Sequence, residues 1–177
     1  MNDIIKAIIE RRSCKKYKSD PVPQEALDEI IQAGLYAANG RGQQGAIIVA
    51  ITDKTTRDKL SKANCKIGGW DEGYDPFYNA PVVLVVLADK SCSTGIYDAS
   101  LVMGNLMLAA NSLGLGSCWI HRAKQEFETD EYKEFLKSLG AKGEYEGVGH
   151  CVIGYPDTEK PQPAERKPNR VFYVKNI

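Results

Sequence analysis

The sequence predicts an α+β, mixed α/β domain: a small central sheet flanked by helices, with one long apolar helix at its middle. Three observations carry that expectation. Residues 98–120 hold no charged side chain after Asp98. The apolar runs 47–51, 82–87 and 148–153 have the length and β-branched content of buried strands. Helical periodicity fills the intervals between them. With 177 residues the chain can build one core, so 1–177 is expected to be a single domain, with 156–177 as an extended C-terminal arm.

In chain order, Asn2 or Asp3 can cap a first helix whose Ile4, Ile5, Ile8 and Ile9 form a stripe. Arg11, Arg12, Lys15, Lys16 and Lys18 follow within eight positions, around Ser13 and Tyr17. This cluster is either a solvated helix end favoured by the macrodipole or an anion site. Pro23 opens a second helix to about Ala37, with Leu27, Ile30, Ile31 and Gly34 at helical spacing. Gly40, Gly42 and Gly45 spell G-x-G-x-x-G, but the loop follows a helix and opens a strand. That is the reverse of the dinucleotide fingerprint, so a Rossmann site is excluded. The run 47–51 is expected to be buried on both faces.

A short polar helix is expected from Thr55 to about Ala63, then a loop over 64–79. Trp70, Tyr74, Phe77 and Tyr78 either pin that loop to the body or let it serve as a lid over a flat ligand. After the strand 82–87 comes the central helix. Leu101, Val102, Leu106, Leu108 and Leu113 surround it with Met103, Met107 and Ala110, which calls for cover on every side. Gly114-Leu-Gly116 turns into a strand over 117–120. Thr129 can cap a helix that buries Phe135, Leu136 and Leu139 and stops at Gly140. Prolines 156, 161, 163 and 168 hold the arm extended. Residues 171–174 are strand-like by composition, free to reach another subunit or to pack back on their own sheet.

Lys plus Arg equal Asp plus Glu at 23 each, which argues against a broad nucleic-acid surface. Met1 to Arg12 reads as an amphipathic helix and not as a signal peptide, so a cytoplasmic location is expected. Gly104, Asn105, Asn111 and Ser112 interrupt the central helix, and it falls short of the ~20 apolar residues a bilayer needs, so no membrane partner is expected. Cys14, Cys65, Cys92, Cys118 and Cys151 are odd in number and scattered, as reduced thiols are. Neither Cys118 with His121 nor His150 with Cys151 has a structural-zinc spacing, and no metal is expected. No nucleophile elbow, H-E-x-x-H or Walker loop appears, and His121 and His150 read as packed histidines. Any catalysis would therefore belong to a cofactor, with no catalytic side chain.

Arg11-Arg-Ser-Cys-Lys-Lys-Tyr17 at the end of the first helix resembles the N-terminal signature of the FMN-dependent nitroreductase family. So do the Asn39–Gly45 loop, Phe77-Tyr-Asn-Ala-Pro81, Leu113-Gly-Leu-Gly-Ser-Cys-Trp-Ile120 and Val152-Ile-Gly-Tyr-Pro156, in the same order. The resemblance implies a nitroreductase-like fold and FMN, with the long central helix buried in a homodimer interface. It implies Arg11, Ser13 and Lys15 on the phosphate and ribityl end, with Arg12 close by and Arg166 of the arm joining them. Asn39, Gly40 and Gln44 would come from the second subunit, and Gly114, Leu115, Gly116 and Ser117 would form a wall of the flavin site. The implied reaction is ping-pong: hydride passes from NADH or NADPH to flavin N5, then to a small-molecule acceptor such as a nitroaromatic or quinone. A flavin-binding, storage or sensing protein with little turnover is the alternative. The chain departs from the family in having Ala38-Asn39, Gly42, Gln44 and Ala46 where Pro-Ser and Asn-x-Gln-Pro-Trp are frequent.

Overall fold

The computed structural model describes residues 1–175. Strand β2 (Val82–Asp89) is the axis of the sheet, because its alternate residues are apolar toward both faces. Val82, Leu84, Val86 and Ala88 point to one side, Val83, Val85 and Leu87 to the other, and all are buried. It pairs antiparallel with β1 (Ala46–Ile51) and with β4 (Tyr145–Gly154), and β3 (Gly116–Ile120) closes the far edge in the order β1-β2-β4-β3.

Helices α2 (Gln24–Leu35) and α4 (Gly95–Ser112) cover the even face of β2. Leu27, Ile30 and Gly34 are the buried stripe of α2. Gly34 lets the two helices close up, since a Cβ there would stand 2.6 Å from Leu106, and Asn105 of α4 donates to the Ala33 carbonyl at 2.9 Å. The opposite face holds α3 (Lys54–Gly68), α5 (Ala123–Phe127) and α6 (Asp130–Ser138), packed through Leu60, Phe127 and Leu136. Helix α1 (Asp3–Glu10), capped by the Asn2 side chain, lies near the C-terminal end of α4, where Asn111 donates to the Ala7 carbonyl.

The elements correct several sequence expectations. Strand β1 is an edge strand with only Ile51 buried, so its apolar run is half covered and not enclosed on both faces. Helix α3 runs on to Gly68, because Asn64 and Cys65 are buried inside it and the stop is Gly69 in the left-handed region. Pro23 sits at the N-cap position of α2, which ends at Leu35. Tyr132 joins Leu136 in the buried stripe of α6, while Leu139 is exposed beyond the helix. Helix α5 went unread, since five residues carry too little periodicity. Residues 171–174 form no strand and are exposed, pairing with no strand of the sheet.

The main correction concerns α4. It begins at Gly95 and is not covered on every side: Tyr97 and Leu101 are 74% and 50% exposed. Ile4, Ile5, Ile8 and Ile9 of α1 are likewise open. Among the described residues of one chain, therefore, nothing covers the outward apolar faces of α1 and α4.

A shift of register between Val86 and Leu87 bends β4 around α5. Gly147 makes that close approach possible, since a Cβ there would stand 2.2 Å from the Ala123 carbonyl oxygen. Gly147→Ala is expected to destabilise the fold by about 3 kcal/mol in chemical denaturation, because backbone has to move. Gly42→Ala, with open space around it, should cost less, through its positive φ alone.

Candidate functional site

The basic segment leaves α1 and crosses the end of the sheet beside β3. Cys14 donates its N–H to the Ser117 carbonyl at 2.9 Å, and Ser13 bridges to Ser117. This contact requires Gly116, because a Cβ there would meet Cys14 at 2.7 Å. Arg11, Ser13 and Lys15 then gather around the thiol of Cys118 on β3. Burial pushes that thiol up, opposed by a hydrogen bond from Ser13 and by the charges of Lys15 and Arg11.

Two guanidinium atoms here are buried without a hydrogen-bond partner, Nη1 of Arg11 and Nε of Arg12. A buried donor of this kind is costly unless something accepts from it, and a guanidinium suits an anion's oxygens best. Arg12 otherwise turns back, donating to the carbonyls of Ile9 and Arg11 at 2.6 and 2.7 Å.

Beside Lys15 lies the aromatic loop. The Lys15 ammonium stands 5.9 Å over the Tyr78 ring, whose hydroxyl is pushed up to about 12 by burial and by a hydrogen bond with Tyr74. Tyr78 and Asn79 both take positive φ, 56° and 59°, a conformation that side chains resist. Asp75 holds them there. Its carboxylate accepts from the N–H groups of Phe77 at 2.9 Å and Asn79 at 2.7 Å, from Ser61 at 2.6 Å, and from the Arg57 guanidinium. Arg57, itself buried, also donates to the Ala80 carbonyl at 3.1 Å and lies over the Phe77 ring. The loop is thus pinned by Phe77, fully buried, while Trp70 and Tyr74 keep exposed ring faces.

The structure does not bring all the sequence-predicted residues together. Arg11, Arg12, Ser13, Lys15 and Gly114–Ser117 meet at the C-terminal end of α4. Leu115 and Ser117 are buried against their own chain, and Gly116 is filled by Cys14. The cleft between this turn, Arg12 and Pro156 holds about 50 Å³, far below the ~300 Å³ or more of ligand pockets. That cleft by itself is therefore too small to hold a ring. Asn39, Gly40 and Gln44 lie at the other end of α4. The Gly40 N–H donates to Asp98 at 3.1 Å, Asp98 accepts from Thr94 at 2.9 Å, and the Asn39 side chain accepts from the Gln44 N–H at 3.0 Å. An 18-residue helix separates the two groups by roughly 27 Å at 1.5 Å per residue. Arg166 is exposed on the arm, its guanidinium turned to the Ala164 carbonyl.

Sequence reasoning missed Asp75, Asp98 and Arg122. Asp98 stood in plain view as the last charge before the apolar helix. Nothing in the sequence marks Arg122 as left-handed, with φ 82°.

Helices on both faces of a small antiparallel sheet define an α+β protein, with a basic segment and an aromatic loop at one end of the sheet. The chain matches the profile of the nitroreductase family over residues 8–67 and 69–155, and it belongs to that family. It is 30% identical over 139 residues to the FMN reductase (NAD(P)H) of Bacillus subtilis, covering 66% of this chain and 53% of that relative. To the NADPH-flavin oxidoreductase of Vibrio harveyi it is 28% identical over 191 residues, covering 99% and 75%. The chain thus spans about half the length of the first of these relatives. Its fold is that of a nitroreductase with bound FMN from Bacteroides fragilis, with a TM-score of 0.90 at 24% identity over 99% of this chain and 100% of that one. An FMN-dependent nitroreductase from Clostridium difficile is 32% identical with a TM-score of 0.77, covering 96% and 98%. No helix among the described residues is long and apolar enough to cross a membrane.

Burial works to raise the Asp75 carboxyl, but Arg57, Ser61 and two backbone N–H groups outweigh it and hold the group below its usual value. A depressed folded pKa stabilises the protein above the unfolded value near 3.9 and ceases to do so as pH falls through the lower folded value. Stability measured by urea titration should therefore decline below about pH 4. Asp75→Asn should cost about 3 kcal/mol at pH 7 and flatten that acid decline.

Proposed function

We propose that the chain is an FMN-dependent NAD(P)H oxidoreductase that works as a homodimer. The observation that carries the reading is the unpartnered, buried Nη1 of Arg11, beside Ser13 and Lys15. The names of the relatives, and a related structure described as an FMN-dependent nitroreductase, support it. A phosphate dianion fits these donors: Arg11 and Ser13 would bind its oxygens, and Arg12 Nε would find an acceptor in the same cluster. The isoalloxazine would extend past Lys15 and Cys118 toward Tyr78, where Lys15 can balance negative charge on the ring.

FMN, when bound, accepts a hydride from NADH or NADPH and passes the electrons to an acceptor such as a nitroaromatic or a quinone. The protein's own work is to orient and to exclude water. Asp75 and Arg57 keep Tyr78 against Lys15, and Tyr78 remains a neutral phenol, able to donate a hydrogen bond, across the working pH range. No side chain is required as an obligatory acid.

Two observations support the dimer. The exposed apolar faces of α1 and α4 need cover, and Asn39, Gly40 and Gln44 stand too far from Lys15 to act on the same flavin within one chain. A second copy packed on α4 in antiparallel fashion brings its Asn39 loop to the first copy's Lys15 end. The C-terminal arm, exposed beyond Lys160, would then carry Arg166 to the partner's phosphate.

The test is the visible spectrum of the purified protein. Oxidised FMN absorbance is expected, bleached by NADH or NADPH without oxygen and restored by a nitroaromatic or quinone. Bleaching without restoration would favour a storage or sensing role. A colourless protein that gains no thermal stability from excess FMN would overturn the flavin reading. Arg11→Ala should weaken FMN at least about tenfold in a fluorescence titration, and Arg41→Ala less than about twofold.

A further inference from the structure

We infer that Arg122, with the ring shelf of Trp70, Tyr74 and Tyr78, is an anion-binding subsite for the electron acceptor. It selects planar conjugated oxidants that carry a carboxylate or sulfonate. The inference rests on the flavin reading above and goes beyond it by assigning the acceptor's chemistry.

Arg122 follows β3 with φ 82° and ψ 2°, a backbone state that a non-glycine residue holds only when its surroundings enforce it. The enforcement is visible beneath it. Asn64, fully buried, donates to the His121 carbonyl at 2.9 Å and to Glu126 Oε1 at 2.7 Å, and the other oxygen of the buried Glu126 carboxylate lies 2.6 Å from His150 Nε2. So anchored, the turn sets the Arg122 guanidinium carbon over the Trp70 ring, 4.2 Å from its centroid. No carboxylate lies within 4 Å of it and it makes no hydrogen bond among the described residues. A solvated surface arginine would need neither the fixed turn nor the stacked ring. A stacked guanidinium keeps its in-plane donors open, in the forked arrangement that grips a carboxylate or sulfonate.

The shelf runs from this arginine to the proposed flavin. Trp70 and Tyr74 have ring centroids 5.0 Å apart, Tyr74 is close enough to Tyr78 to raise its hydroxyl, and Tyr78 lies under Lys15. Trp70 and Tyr74 are 39% and 43% exposed, with Trp70 packed on Gly68 and beneath Arg122, so the open part of the shelf lies toward Tyr74. A flat acceptor stacked along it would have its reducible group toward Lys15 and its anion toward Arg122.

The test compares 4-nitrobenzoate with methyl 4-nitrobenzoate on the FMN-loaded protein. In either case NADH gives up a hydride, a proton comes from solvent, and the nitro group becomes nitroso as one oxygen leaves in water. The acid is expected to exceed the ester about tenfold in kcat/KM. In Arg122→Ala that ratio should collapse toward one through a higher KM for the acid, and Arg122→Lys should restore part of it. Without NADH, quenching of tryptophan fluorescence by 4-nitrobenzoate should need about tenfold more ligand in Arg122→Ala. Wild-type protein that reduces both compounds equally would overturn the inference and leave the flavin reading intact. So would an Arg122→Ala defect confined to bleaching by NADH, which would give the arginine to the reductant's phosphates. Wild-type protein without FMN absorbance would overturn both.

Discussion

The constraint on which the rest depends is that α4 is apolar on two sides and has a place for only one of them in its own chain. Its inner side, through Val102, Met103, Leu106 and Ala110, packs on α2 and the sheet. Burial at roughly 25 cal/mol per Å² makes that the largest contribution to holding the face together. Its outer side, with Tyr97 and Leu101, remains open together with the isoleucines of α1. The same helix fixes a separation. The basic segment stands near one end of it and the Asn39 loop near the other, a separation that supports the proposal of cofactor contacts drawn from two copies.

Two buried polar networks govern where the site's loops sit. Asp75 gathers four donors and holds two consecutive left-handed residues that put Tyr78 against Lys15. Asn64, Glu126 and His150 support the turn that presents Arg122. In the first, every donor around Asp75 finds the carboxylate. In the second, Asn64 Oδ1 is left without a donor, and Glu126 and His150 are held by an ion-pair contact at 2.6 Å and not by a well-formed hydrogen bond. The site is thus rigid where the backbone is strained and open where ring faces remain exposed.

The sequence made the strands and long helices legible because their residues repeat at 2 or 3.6. The doubly buried β2 and the Thr129 cap are clear cases. It misjudged cover: the apolar run 46–51 reads the same whether its strand is central or at an edge, and nothing in α4 says which side another chain would take. The basic segment was legible as a cluster, and its role was set by resemblance. Asp75, Asp98 and Arg122 escaped because each acts through a contact between residues distant in sequence or through a dihedral angle that composition does not encode.

The central claim, that one flavin site draws on two copies, is tested most directly by mixing defects. Chains bearing Arg11→Ala and chains bearing Asn39→Ala, each impaired in FMN binding alone, are co-expressed and the tagged heterodimer isolated. If the site is shared, one of the two sites in the heterodimer receives Arg11 from one chain and Asn39 from the other, and about half the wild-type FMN occupancy returns. If each chain builds its own site, both sites stay impaired, and FMN occupancy no higher than the mean of the two parents would contradict the account.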